Sequence, residues 1–340
     1  MADSAPASFE EIRAVLRAFP EPDTDARAAA AARDARLTKP AGALGRLEEL
    51  VQWLAAWQGR HPPRIERPFT AVFVGNHGIA ARGVSAYPAE VTKQMLQNFI
   101  DGGAAVNQLC DVADSDLRVY ELALDEPTRD FSAEPAMSEE DCARAVAYGM
   151  MAVEPGIDLL ALGEMGIGNT TSAAALCHAL YGGSASEWVG RGTGIDDARL
   201  ANKTALIAAA VEKHRSLMTE PLEVLRCLGG FELAAILGAI MAARMAQVPV
   251  VLDGYACTAA ASILHAMDSN GLDHCVVAHV SVEPGHRRLL ARLGKQPLFD
   301  LGLRLGEASG AVLAIPLLKA ACACHAGMAT FDEAGVSGPG

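Results

Sequence analysis

From Pro68 onward short apolar runs alternate with long helical stretches, and this alternation limits the possible folds more than any other feature. Residues 69–74, 117–124, 157–162, 248–252 and 275–280 read as buried strands. Between them, residues 88–110, 138–153, 196–214 and 231–246 read as helices. Ser138-Glu139-Glu140-Asp141 resembles a capping box, and Asp196-Asp197 suits a helix start. Repeated strand–helix units imply right-handed crossovers and an open parallel sheet with helices on both faces. The core chemistry agrees. Apolar residues make up 51% of the chain but aromatics only 5%, so Ala, Leu, Val and Ile must fill the interior. That mix suits helices packed on a parallel sheet better than a β-sandwich.

With 340 residues the chain has room for a second, smaller domain. Residues 9–19, 25–37 and 44–57 carry apolar side chains at helical spacing. Lys39-Pro40-Ala41-Gly42 is a break, and His61-Pro62-Pro63 closes the section. The last helix, 310–323, is expected to leave the sheet and join them. This gives a small helical domain from residues 1–66 together with 311–340, beside a Rossmann-like domain at 67–310. Residues 331–340 end in Ser-Gly-Pro-Gly and are expected to fray.

A net charge of −13 without a basic stripe argues against nucleic-acid binding. The eight cysteines lack zinc-finger spacing. Cys322-Ala323-Cys324-His325 is their one cluster, and its i, i+2 residues diverge on a helix, so buried reduced thiols are the better reading. Met1-Ala2-Asp3-Ser4 lacks the start of a signal peptide. The longest apolar helix, read as 233–243, is interrupted by Arg244 and falls short of the roughly 20 residues that span a membrane. A cytoplasmic, soluble protein is expected.

The polar and glycine-rich words collect at strand ends. Asn76-His77-Gly78 follows the first run. Gly163-Glu164-Met165-Gly166-Ile167-Gly168-Asn169-Thr170-Thr171 follows the third, and Asp253-Gly254-Tyr255 the fourth. Ser281-Val282-Glu283-Pro284-Gly285-His286 follows the fifth. In an open α/β sheet that edge binds ligands. A glycine-rich loop leading into a helix cradles an anion, which leaves Glu164 as the odd member of its loop. Gly190-Arg191-Gly192-Thr193-Gly194-Ile195 is a second such loop, before a helix bearing Lys203. From position alone a solvated Lys203 is the simpler reading; a phosphate partner is the other. Neither a P-loop nor the dinucleotide G-x-G-x-x-G spacing is present. Glu307, flanked by Gly306 and Gly310 among apolar residues, reads either as a general base with a raised pKa or as an acid serving a helix N-terminus. His77 reads as a histidine that fixes its loop.

Together these words resemble the nicotinate-nucleotide–dimethylbenzimidazole phosphoribosyltransferase family. Lys39-Pro40-Ala41-Gly42-Ala43-Leu44-Gly45-Arg46-Leu47-Glu48, His77-Gly78 through Ser85, Gly163 through Thr171, Gly229-Gly230-Phe231-Glu232-Leu233, Leu252-Asp253-Gly254 and Arg304 through Ala311 carry the resemblance. It implies a Rossmann-like sheet with a small helical domain, a homodimer, and no cofactor or metal. The implied reaction moves the 5-phosphoribosyl group of nicotinate mononucleotide to a benzimidazole nitrogen with inversion. Glu307 then matches the general base, and Glu164 an acidic residue beside the reacting carbon. Gly166, Gly192, Lys203 and Ser281 match the ribose-phosphate positions, while Met165 and Leu305 would line the base slot. The chain departs from the family pattern in that slot, with Tyr87 before Pro88 and Met95 where a glutamine is common, and it carries Asn76 before His77. These departures bear on the base accepted. Other readings are a nicotinate mononucleotide hydrolase, disfavoured by a dry slot beside Glu307, and a non-catalytic nucleotide-binding regulator, disfavoured by retention of Glu164 and Glu307.

Overall fold

The computed structural model describes residues 8–338; Met1 to Ser4, read for a missing signal, lie outside them, as do Pro339 and Gly340. In chain order the elements are α1 (Phe9–Arg17), α2 (Thr24–Asp34), α3 (Arg46–Gln58), β1 (Pro68–Gly75), α4 (Glu90–Ile100), α5 (Ala105–Ala113), β2 (Asp116–Leu122), α6 (Glu139–Met150), β3 (Leu159–Met165) and α7 (Asn169–Tyr181). There follow α8 (Asp197–His214), α9 (Pro221–Leu228), α10 (Phe231–Met245), β4 (Val250–Leu252), α11 (Tyr255–Met267), β5 (Cys275–His279), α12 (Pro284–Leu293), β6 (Pro297–Phe299), α13 (Ser309–Gly327) and α14 (Phe331–Ala334).

The strands form one sheet in the order β2-β1-β3-β4-β5-β6, and every pairing is parallel. All carboxyl ends therefore share one edge. The order reverses between β1 and β3, and such a switch point opens a crevice above it. Alternate residues of each strand feed two cores. Phe69, Ala71 and Phe73 of β1, with Leu160 and Leu162 of β3, pack against a layer that includes α6, α7, α10 and α11. Val72, Val74, Leu159 and Ala161 point the other way, into a core shared with α3, α5 and α13.

Several boundaries differ from the sequence reading, each for a local reason. The helix expected over 88–110 is two, broken at Gly102, whose φ of +78° is a left-handed helix stop. The third strand runs on to Met165, so Glu164 and Met165 sit on the strand end rather than in a loop. Gly163 lets the turn at 307–308 pack against this strand: a Cβ there would lie 2.1 Å from the Ala308 nitrogen. β6 is new, three residues long and at the sheet edge. The final helix starts at Ser309 and does not simply leave the sheet. Its first half covers the sheet through Val312 and Ile315. Its far end meets α2 and α3, where Ala321 joins Ala30, Val51 and Ala55. Arg33 of α2 donates to the carbonyls of His325, Ala326 and Met328 at its C-terminus. By contrast α1 buries Phe9 and Ile12 in the opposite core, beside α6. Residues 331–334, expected to fray, form α14, whose first turn is capped by Thr330 and tied to the Arg36 carbonyl.

α13, not the segment 233–243, is the longest apolar helix, and by length and composition alone it would span a membrane. Its burial between the sheet, α3 and α5 accounts for that composition. All eight cysteines are free, and all but Cys324 are buried.

Candidate active site

A cleft of about 790 Å³ lies over the carboxyl edge of the sheet. Its floor comes from the ends of β3 (Glu164, Met165), β4 (Gly254) and β5 (His279, Ser281). Its walls come from residues 84–105 on one side and from 302–307 on the other. Nine of the ten residues singled out from the sequence line it: Tyr87, Met95, Glu164, Met165, Gly166, Gly192, Ser281, Leu305 and Glu307. The tenth, Lys203, sits directly behind the wall, its ammonium donating to the lining residue Thr170 at 2.8 Å and to the Gly190 carbonyl at 3.3 Å.

The word after β1 behaves differently. Asn76 donates to the Leu124 carbonyl, and His77 is locked between Glu232 (Nε2 to Oε1, 2.6 Å) and the Ser172 hydroxyl (3.1 Å), all buried. His77 is thus a loop-fixing residue. The chain after β1 reaches the cleft later, through Val84, Ser85 and Tyr87, where Thr193 of the opposite loop accepts from the Ala86 amide at 2.9 Å.

Two carboxyls face the cleft with weakened acidity. Glu307 is 5% exposed, and burial together with the negative charge of Asp253 lifts its pKa to about 7. Glu164, half-buried, is pushed well above the usual carboxylate range by burial and then by Asp253 and Glu232, against a hydrogen bond from Asn169. Lys203 is fully buried, and desolvation brings it down to about 8, opposed by Glu283. A cleft with one base poised near neutrality, an acidic floor and a desolvated lysine beside two glycine loops is suited to holding an anion at one end while moving a proton at the other.

A phosphoribosyltransferase family model matches residues 19–336. The chain belongs to that family. It is 58% identical over 329 residues to the nicotinate-nucleotide–dimethylbenzimidazole phosphoribosyltransferase of Sinorhizobium medicae (strain WSM419), with 97% of each chain covered. The protein of the same name from Methylocella silvestris is 56% identical over 338 residues, covering 99% of this chain and 98% of its own. Among solved structures, that of CobT from Thermus thermophilus superposes with a TM-score of 0.87 at 44% identity, covering 93% of this chain and 100% of that one.

The second glycine loop packs closely on the buried lysine. Gly192 adopts φ +51°, and a Cβ on it would lie 2.8 Å from the Thr170 hydroxyl and 3.5 Å from the Lys203 ammonium. Only a residue without a side chain lets the backbone pass this close to Thr170 and the Lys203 ammonium. The sequence contained a signal for this burial: Lys203, Ile207, Ala210, Val211 and His214 form one buried stripe of α8. Glu283 escaped the sequence reading. It lines the cleft, is 6% exposed, and accepts from the Gly192 amide at 2.8 Å. It stands in the word that ends β5, but nothing in the spacing marks that carboxylate as facing the second glycine loop.

Proposed function

We propose that this chain transfers the 5-phosphoribosyl group of nicotinate mononucleotide to 5,6-dimethylbenzimidazole or a related base, giving α-ribazole 5′-phosphate and nicotinate with inversion at the anomeric carbon. The observation that carries this reading is Glu307, a buried carboxyl with a pKa of about 7 on the wall of the cleft that Glu164 floors. In the reaction one benzimidazole nitrogen bonds to the anomeric carbon as the bond to the pyridinium breaks. The bonding pair returns to the nicotinate nitrogen, and the N–H proton of the base passes to Glu307. With only its protein neighbours around it, Glu164 holds its proton tightly. A cationic pyridinium or oxocarbenium-like centre beside it favours the ionised carboxylate, which in turn stabilises that cation. Lys203, Gly166, Gly192 and Ser281 hold the phosphate, while Met95, Met165, Leu305 and Tyr87 flank the flat base.

The test is nicotinate release with and without a benzimidazole, with products identified by mass. Release that does not depend on the base would indicate a hydrolase, and binding without release a regulator. Glu307→Gln should lower turnover by about 100-fold or more while leaving nucleotide affinity nearly intact; unchanged turnover removes Glu307 from the mechanism. Competition among benzimidazoles and purines fixes the base that the Tyr87 and Met95 slot prefers. The protein is proposed to act as a cytoplasmic homodimer, so light scattering should give twice the 35.5 kDa of one chain.

A further inference from the structure

We propose that Asp253, braced by His279, is the positioning residue that holds Glu307 in place as the proton acceptor and sets its basicity. This rests on the phosphoribosyl-transfer reading above. Glu307 and Ala308 are consecutive non-glycine residues with φ of +62° and +61°, a left-handed conformation that L-residues adopt only at a cost. Such a turn persists only if its surroundings hold it. Asp253, fully buried at the end of β4, does so from another element. Its Oδ1 accepts from the Gly310 amide at 2.7 Å and the Ala311 amide at 3.1 Å, two of the free N–H groups that open α13. The same oxygen lies 3.3 Å from Nε2 of His279, 1% exposed at the end of β5. The pair is built tightly around residue 310: a Cβ there would fall 2.1 Å from the His279 ring and 2.8 Å from Asp253 Oδ1.

Asp253 is therefore too deep to be a base itself, and a cap alone would not require a histidine beside it. Its negative charge opposes ionisation of Glu307, and its pairing with His279 raises the histidine pKa. When protonated, His279 offsets part of the field that Asp253 exerts. The other charged groups around Glu307 are Glu164 at the end of β3 and Arg304 on its own loop, with Glu232 of α10 acting on Glu164.

The experiment is the pH dependence of kcat/KM for benzimidazole-dependent nicotinate release in wild type, Asp253→Asn, His279→Gln and Glu307→Gln. A parallel carbon-13 titration of the carboxyl at 307 uses the Glu307→Gln variant for assignment. In Asp253→Asn the amide oxygen still accepts from α13, and the acidic limb should move down by about half a unit or more. In His279→Gln no positive charge can form beside Asp253, and the limb should move up. A merely structural role would lower activity or stability in both variants without moving either midpoint in these opposite directions. Unmoved midpoints in a wild type whose limb belongs to Glu307 overturn the proposal. If Asp253→Asn does not fold, the direction of the His279→Gln shift decides it. A wild type that releases no nicotinate with any base overturns the functional reading instead, and the carbon-13 titration still reports on Asp253.

Discussion

Glu307 shows how one side chain can be set for chemistry at the expense of stability. Its native pKa of about 7 lies above the ordinary 4.5, so the folded chain holds the proton more tightly than the unfolded chain. The stability it allows is fully present below pH 4.5, falls as pH rises through 7, and is lower by about 3 kcal/mol above that. Glu307→Gln removes the charge, so it should raise the melting temperature at pH 8 relative to wild type and change it much less at pH 5. Calorimetry at the two values checks this, and equal effects would show that Glu307 ionises freely. Lys203 gives a second outcome at this scale. Lys203→Met should weaken nicotinate mononucleotide binding by about 10–100-fold, the range of a charge-assisted hydrogen bond, with a smaller effect on kcat. A calorimetric titration with unchanged affinity would leave the lysine serving only Thr170 and Gly190. From sequence, Glu307 was legible because glycines and apolar neighbours signalled burial. Asp253 was visible only as part of a word, since its task depends on α13, 57 residues away in sequence.

Among elements, length decided as much as patterning: long helices were readable even where, as in α10 and α13, nearly every face is buried. The helices at 9–19, 138–153 and 196–214 stood out by period, and the structure places helices there. α11 did not, because it is buried on nearly every side and shows no polar stripe. β6, with three residues, is too short for any period to register, and α9 carries its apolar stripe over only two turns. The contact between α6 and α10 was equally hidden. A Cβ on Gly149 would lie 1.8 Å from the Ala235 carbonyl oxygen, and one on Gly238 would lie 1.8 Å from that of Val146. The two backbones touch through paired glycines. Gly238→Ala should destabilise the fold by about 1–3 kcal/mol by forcing the helices apart. Denaturant unfolding checks this, and an unchanged midpoint would mean the pair separates freely.

At the scale of the molecule, the parallel sheet was implied by the repeating strand–helix order, and its carboxyl edge by the words that end the strands. The strand order was not implied, because adjacency in a sheet is decided by crossovers that leave no local mark. Nor was the double role of α13. We propose the small domain in a narrower form than residues 1–66 with 311–340: α2, α3 and the far half of α13, with α1 belonging to the sheet. Limited proteolysis should then cut between α1 and α2 before it cuts within the three-helix group; early cuts inside that group would argue against the division.

The two ends of the cleft are drawn from different stages of the chain. The glycine loops and Lys203 come from residues 163–203, but the turn that carries Glu307 is held by the first residues of α13. Ser281 and Glu283, which close the glycine-loop end, come from after β5, so both ends wait for the last third of the chain. A chain cut before residue 310 would lose both the amides that Asp253 holds and the apolar cover that Val312 and Ile315 give the sheet, so the turn carrying Glu307 is set by the same helix that closes the core.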